Sequence, residues 1–166
     1  MTRENVFDCN CPIARVTEVL GEPWTLMVLR EAFLGTRCFN DFERELGIAR
    51  NILSARLRKL VEAGLLERRQ SEIDRRSFEY RLTESGRSLA PALVALAQWA
   101  GDCLCDGSTP TRFIERATGR EIPALAVRSV DGRILDADDI AMVPGPDADD
   151  VLKARYERVP GEADGL

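Results

Sequence analysis

Arg50, Asn51, Ser54 and Arg58 are the side chains with the most definite chemistry in this 166-residue sequence. Leu53, Leu57 and Leu60 interleave them. If those leucines face inward, the 100° step of an α-helix turns Asn51, Ser54, Ala55 and Arg58 outward, with Arg50 in the first turn. The resulting face is short and rich in donors. Arginine pairs with O6 and N7 of guanine, asparagine with N6 and N7 of adenine, and serine with either, so such a face can enter a DNA major groove. A solvated helix face has the same composition, and the stripe alone does not choose. Downstream, Arg68, Arg69, Arg75, Arg76 and Arg81 lie on or beside two strand-like runs. Arg75 and Arg76, near the tip between the runs, would reach a minor groove or flanking phosphates, partly offset by Glu72 and Asp74.

The cysteines offer a second chemistry. Cys9 and Cys11 form a Cys-x-Cys pair before a helix-like stretch, and a helix N-terminus favours the thiolate that oxidants and electrophiles attack. A small residue packed at a helix start is the competing reading. Cys103 and Cys105 form a second pair, and four thiolates could make a tetrahedral zinc site in principle. Structural zinc sites generally use wider spacings, so no metal is expected. Cys38 reads as a core residue, as do Trp24, Phe33 and Trp99, which could equally line a dimer seam. Histidine is absent, which removes Ser-His-Asp and Cys-His catalysis and HExxH zinc sites. An enzyme is not expected.

The elements that position these residues follow from hydrophobic period and punctuation. Pro12–Leu20 carries a helical stripe, opened by Pro12 and closed by Gly21. Pro23–Leu34 is apolar nearly all round and reads as a central buried helix. Short helices over about 39–46 and 49–63 flank a turn at Gly47, which is a helix-turn-helix pattern. Leu65–Arg69 and Phe78–Leu82 read as the strands of a hairpin, the second half-buried with alternating faces. Thr83 then caps a long amphipathic helix kinked at Pro91, with Leu89, Leu93, Leu96, Ala97 and Trp99 on its apolar side. Gly107–Pro110 marks a boundary, giving a winged-helix domain over 1–105 and an extension over 106–166. In the extension, 112–116 and 122–130 read as strands, Asp131-Gly132 as a tight turn, and 149–158 as a terminal helix. The expected fold is mainly α, a winged helix-turn-helix with a β-hairpin wing and a small β-containing extension.

Apolar residues at 45% and charged residues at 31% describe a soluble globular chain, and no apolar run reaches the ~18 residues of a membrane span. The net charge of −5 is unevenly spread: residues 50–81 hold nine basic and five acidic side chains, residues 106–166 eight and thirteen. A nucleic-acid reading therefore rests on where the arginines fall rather than on the whole-chain charge. The start, MTRENVFDCNCP, lacks the apolar core of a secretory signal, and the unpaired-looking cysteines suit a reducing cytoplasm.

Cys11-Pro12-Ile13-Ala14 and Gly21-Glu22-Pro23-Trp24-Thr25-Leu26-Met27-Val28-Leu29-Arg30 resemble the opening of the HxlR-type winged-helix transcriptional regulators. The resemblance continues through Phe39-Asn40-Asp41-Phe42, Leu46–Leu57, Leu60–Leu66 and Tyr80–Gly86, covering about 11–100. It implies a homodimeric bacterial DNA-binding regulator whose first and last winged-helix-domain helices form the dimer interface. It places Arg50, Asn51, Ser54 and Arg58 on the recognition helix and Arg75 and Arg76 on the wing. Many members carry two arginines before the Phe of the third helix, whereas this chain has Arg37 and Cys38 there, which leaves Arg37 as the phosphate contact. Their wings carry prolines where this chain has Asp74-Arg75-Arg76-Ser77. Cys11 matches a cysteine through which some members sense quinones, hypochlorite or disulfide stress, with Cys9 beside it.

The expectation is a cytoplasmic, cofactor-free repressor that binds a pseudo-palindromic operator as a homodimer. Its recognition helices would lie about one DNA turn, roughly 34 Å, apart. A small-molecule or oxidant effector is the further partner considered, and no membrane partner is expected. A protein-interaction winged helix and a thiol enzyme using Cys9 or Cys11 are the other classes.

Overall fold

The computed structural model describes residues 10–72, 76–105, 108 and 110–157. The chain divides into two compact units, residues 24–134 and residues 1–23 with 135–166. Residues 12–20 thus group with the tail, and 110–134 with the helix-turn-helix.

The larger unit opens with α2 (Thr25–Leu34), which follows α1 (Pro12–Leu20) of the other unit. Its N-cap, Trp24, takes φ 75°, an uncommon conformation for a bulky residue. The expectation of a helix buried all round fails. Only Thr25, Val28, Leu29 and Glu31 are buried, while Leu26, Met27 and Leu34 are exposed. Its buried residues face the two helices and the second hairpin strand that follow, and Leu26, Met27 and Leu34 are left to solvent.

Next come α3 (Phe39–Leu46) and α4 (Arg50–Glu62). Gly47 reverses the chain between them with φ +62°, which L side chains rarely adopt, and its N–H bonds Glu43 O at 2.9 Å. Ile48 in this turn is buried. The α4 C-terminus is a Schellman closure. Leu65 N–H reaches Leu60 O at 2.9 Å and Gly64 N–H reaches Val61 O at 3.0 Å, which satisfies carbonyls the helix end would orphan. That closure points the chain into β1 (Leu66–Gln70), which pairs antiparallel with β2 (Phe78–Leu82) from Leu66↔Leu82 to Gln70↔Phe78. Cys38 bridges Glu79, and Tyr80 N–H bonds Arg37 O at 2.8 Å, so the residues before α3 add a rung to the hairpin. The core is Val28, Leu29, Phe42, Leu46, Ile48, Leu53, Leu57, Leu60 and Leu66.

Two helices replace the single kinked one expected after Thr83. They are α5 (Glu84–Ser88) and α6 (Ala90–Leu104), broken at Leu89. Proline lacks an N–H and its ring clashes with the carbonyl four residues back, so Pro91 starts α6 instead of bending a longer helix. Thr83 does cap α5, its Oγ1 accepting from Gly86 N–H at 2.9 Å. The strands expected at 112–116 and 122–130 shrink to isolated bridges, Ile114↔Glu121 and Arg128↔Ile134. The Asp131-Gly132 turn forms, with Gly132 at φ +89° and Ser129 N–H on Arg133 O at 2.9 Å. Val127 and Val130 are exposed, so no apolar face is buried that would extend a ladder. Instead the Gln98 side chain on α6 fastens this segment, donating to Pro123 O at 3.2 Å and accepting from Leu125 N–H at 2.9 Å.

In the smaller unit, α7 (Asp150–Glu157) meets α1. Asn10 N–H donates to Asp149 Oδ2 at 2.7 Å, and Asp149 N–H donates to Asn10 Oδ1 at 3.2 Å. Ala14 and Leu152 form the small core between the two helices, with Cys11, Ala148 and Tyr156 against it.

Candidate nucleic-acid interface

α4 is built from its dry side outward. Leu53, Leu57 and Leu60 are each 0% exposed, which fixes the rotation of the helix about its axis. Arg50, Asn51, Ser54 and Arg58 are all exposed; the 100° step turns Asn51, Ser54 and Arg58 away from the leucines, while Arg50 in the first turn lies on the side toward α3. The first turn of α4 carries no acid, so its free N–H groups favour an anion at that end. Arg58 lies 4.0 Å from Glu62, with both side chains mostly in solvent. That pair yields readily to a stronger anion.

Arg50 is held. Its Nη1 donates to the Glu43 carboxylate on α3, and its guanidinium lies over the Phe39 ring at 4.8 Å. Neither Glu43 nor Phe39 is among the site residues that the sequence predicts. The available signal was an acid and a cation seven apart across the Gly47 turn, outside the spacings of a single helix.

Arg37 is exposed just before α3, where its carbonyl is tied to β2. On the hairpin, Arg76 is exposed. Arg75 lies outside the described residues. Arg68 lies over the Phe78 ring at 3.6 Å, Arg69 pairs with Glu67 at 2.8 Å, and Arg81 pairs with Glu79 at 2.8 Å.

β2 corrects the expected alternation. Glu79 is buried and Phe78 is 42% exposed. The reason is charge satisfaction: Glu79 accepts from Arg81 Nη2 at 2.8 Å and Arg81 Nε at 3.0 Å, and from Ser71 Oγ at 3.1 Å. These bonds, Arg81 first and Ser71 second, hold the Glu79 carboxyl below the usual glutamate range. A depressed folded-state value means the contribution is present above the unfolded glutamate range and is lost as pH falls through the folded value. Glu79→Gln is therefore expected to lower the melting temperature at neutral pH, with the deficit shrinking as the solution is acidified. Thermal melts across that window check it, and a deficit independent of pH would refute the assignment.

Trp24 and Trp99, expected in a core or seam, are 41% and 56% exposed in the single chain, so neither is a core residue. Cys11 is half-buried at the α1 N-cap, and Cys103 and Cys105 are exposed. Cys9 lies outside the described residues. Burial, then the carboxylates of Asp41 and Glu79, push the half-buried Cys38 thiol up, which keeps it protonated. Among the described residues no group of three or more His, Cys, Asp or Glu could hold a metal ion. No helix among them is long and apolar enough to cross a membrane. An open polar cleft of about 570 Å³ lies beside Glu31, Arg37, Cys38 and Glu79.

Comparisons with known proteins agree with this geometry. The chain is 40% identical over 135 residues to Rv3095 of Mycobacterium tuberculosis, described as an uncharacterised HTH-type transcriptional regulator, covering 81% of this chain and 85% of that one. The crystal structure of PA1607, described as a candidate transcription factor, superposes with a TM-score of 0.75 at 41% identity, covering 82% of this chain and 96% of that chain. The redox regulator HypR in its oxidised form gives 0.51 at 29% identity, covering 55% and 96%. The model of the HxlR-like helix-turn-helix family matches residues 19–107. The chain is a winged-helix, DNA-binding transcriptional regulator of the HxlR-like helix-turn-helix family.

Proposed function

We propose that this regulator reads a pseudo-palindromic operator with α4, acts there as a homodimer and represses transcription in the cytoplasm by occluding the site. Residues 1–105 would supply the DNA-binding and dimer-forming surfaces, with 106–166 an appendage. The observation that carries the reading is the division of α4 into a dry leucine row and an exposed Arg50/Asn51/Ser54/Arg58 face. Arg37 before α3 and Arg75 and Arg76 at the hairpin tip would hold phosphates. The homodimer is supported by α6. Its sequence is nearly all apolar, yet only Gly101 is buried and Leu96 and Trp99 are more than half exposed. An apolar helix left this open calls for a cover, and a second copy of the chain supplies one.

Selection of bound duplexes from a random pool tests the reading. Arg50→Ala is expected to lose roughly 1–3 kcal/mol of discrimination at one base pair of the selected site. Arg76→Ala is expected to weaken all sequences alike and to reduce the salt slope by about one. Wild-type binding by both variants would exclude this face as the reader.

A second reading is regulation through Cys11, with an oxidant or other small molecule as effector. It is supported by the place of Cys11 at the start of α1 and by the likeness to the redox regulator HypR. Operator release on oxidation that Cys11→Ser abolishes would support it, and release unchanged in Cys11→Ser would exclude it.

A further inference from the structure

The treatment of Arg50 goes beyond what a recognition helix requires. A cation in the first turn of a helix opposes the macrodipole, and here no first-turn acid compensates it. An unrestrained arginine there would sample many rotamers and lose that freedom on binding. Glu43 and Phe39, both on α3, remove it beforehand, one binding Nη1 and the other lying under the guanidinium plane at 4.8 Å. Glu43 is half-buried at 31% side-chain exposure, while Arg50 remains 64% exposed. Among the described residues Glu43 is the one acceptor on this guanidinium, and it engages Nη1. The Nε–Nη2 edge, which can pair side-on with two acceptors, is thereby left for a ligand.

We propose that Glu43 and Phe39 are positioning residues that set the base specificity of Arg50. The proposal rests on α4 reading DNA through Arg50. It assigns a specificity role to a carboxylate that would itself repel the duplex. The Glu43 charge costs affinity for every sequence and repays it as discrimination at the base pair Arg50 reads.

The experiment compares wild type, Glu43→Ala, Arg50→Ala and the double variant. Each is titrated with the selected operator, with a copy altered at the base pair where Arg50→Ala loses discrimination, and with an unrelated duplex. Glu43→Ala is expected to bind the unrelated duplex a few-fold more tightly and to lose on the order of 3- to 10-fold in preference for the operator over the altered copy. Phe39→Leu should lose preference in the same direction without gaining affinity for unrelated DNA. The double variant should discriminate no worse than Arg50→Ala alone, because Glu43 acts through Arg50.

A thermal midpoint matching wild type shows that the helix pair is intact, and Glu43→Gln replaces the alanine variant if that variant does not fold. Tighter binding to all three duplexes with the preference preserved would overturn the proposal, making Glu43 a repelling charge only. Additive losses in the double variant would overturn it as well. If Arg50→Ala itself discriminates like wild type, the recognition-helix reading falls and takes this proposal with it. If Arg50→Ala loses discrimination and Glu43→Ala does not, only the proposal falls.

Discussion

Gly86→Ala is expected to cost about 3 kcal/mol or more, lowering the melting temperature of the larger unit by on the order of 10–20 °C. A Cβ at Gly86 would lie 2.1 Å from Leu65 O, 3.1 Å from Leu65 C and 3.1 Å from Leu82 Cδ2. The nearest of these atoms is backbone, which cannot swing aside as a side chain would. The Leu65 carbonyl also accepts from Thr83 N–H at 3.1 Å, and Thr83 caps α5 through Gly86 N–H at 2.9 Å. Moving α5 away to admit one methyl therefore breaks the junction of α4, the hairpin and α5 together. Gly47→Ala is the control. Gly47 has nothing within 4 Å of its would-be Cβ but sits at φ +62°, so its cost is the left-handed backbone alone, about 1–2 kcal/mol. Calorimetry on the two variants separates collision from conformation. A Gly86→Ala midpoint no lower than that of Gly47→Ala would contradict the close approach.

Leu57→Ala is expected to destabilise the fold by about 2–5 kcal/mol. Leu57 is 0% exposed at the middle of the inward row of α4, which packs against α2, α3 and β1. Truncation leaves a void that α4 can close only by shifting, and a shift re-aims the polar face. DNA affinity should fall although no exposed side chain has changed. At temperatures where the variant stays folded, discrimination between operator sequences should fall more than affinity for unrelated DNA. Chemical denaturation together with operator titration checks both. A loss of stability with discrimination intact would mean that α4 is aimed by its ends rather than by its leucine row.

The helix-turn-helix and its exposed face were legible in the residue order, because the signals are local. Leu53, Leu57 and Leu60 recur at the helical period, and Gly47 and Gly64 stand at positive φ where the chain must turn. The Pro91 break is half legible: proline disturbs a helix wherever it falls, but the residue order does not say whether it bends one helix or starts another, as it does here after Leu89. Glu79 and Phe78 exchange the places that alternation gives them. Alternation assigns the apolar residue to the core, whereas Arg81 and Ser71 make the carboxylate the better buried group. The strands expected beyond residue 110 met the opposite fate, for want of a face to bury.

Period and punctuation thus carried the order of elements, the turn and the identity of the outward-facing cations. Packing alone settled which charges are held, and by what: Arg50 by Glu43 and Phe39, Arg81 by Glu79, Arg68 over Phe78. A hydrophobic repeat is a property of neighbours along the chain. An ion pair or a stacked ring depends instead on where the fold brings separate segments, and that is decided only when helices and strands dock.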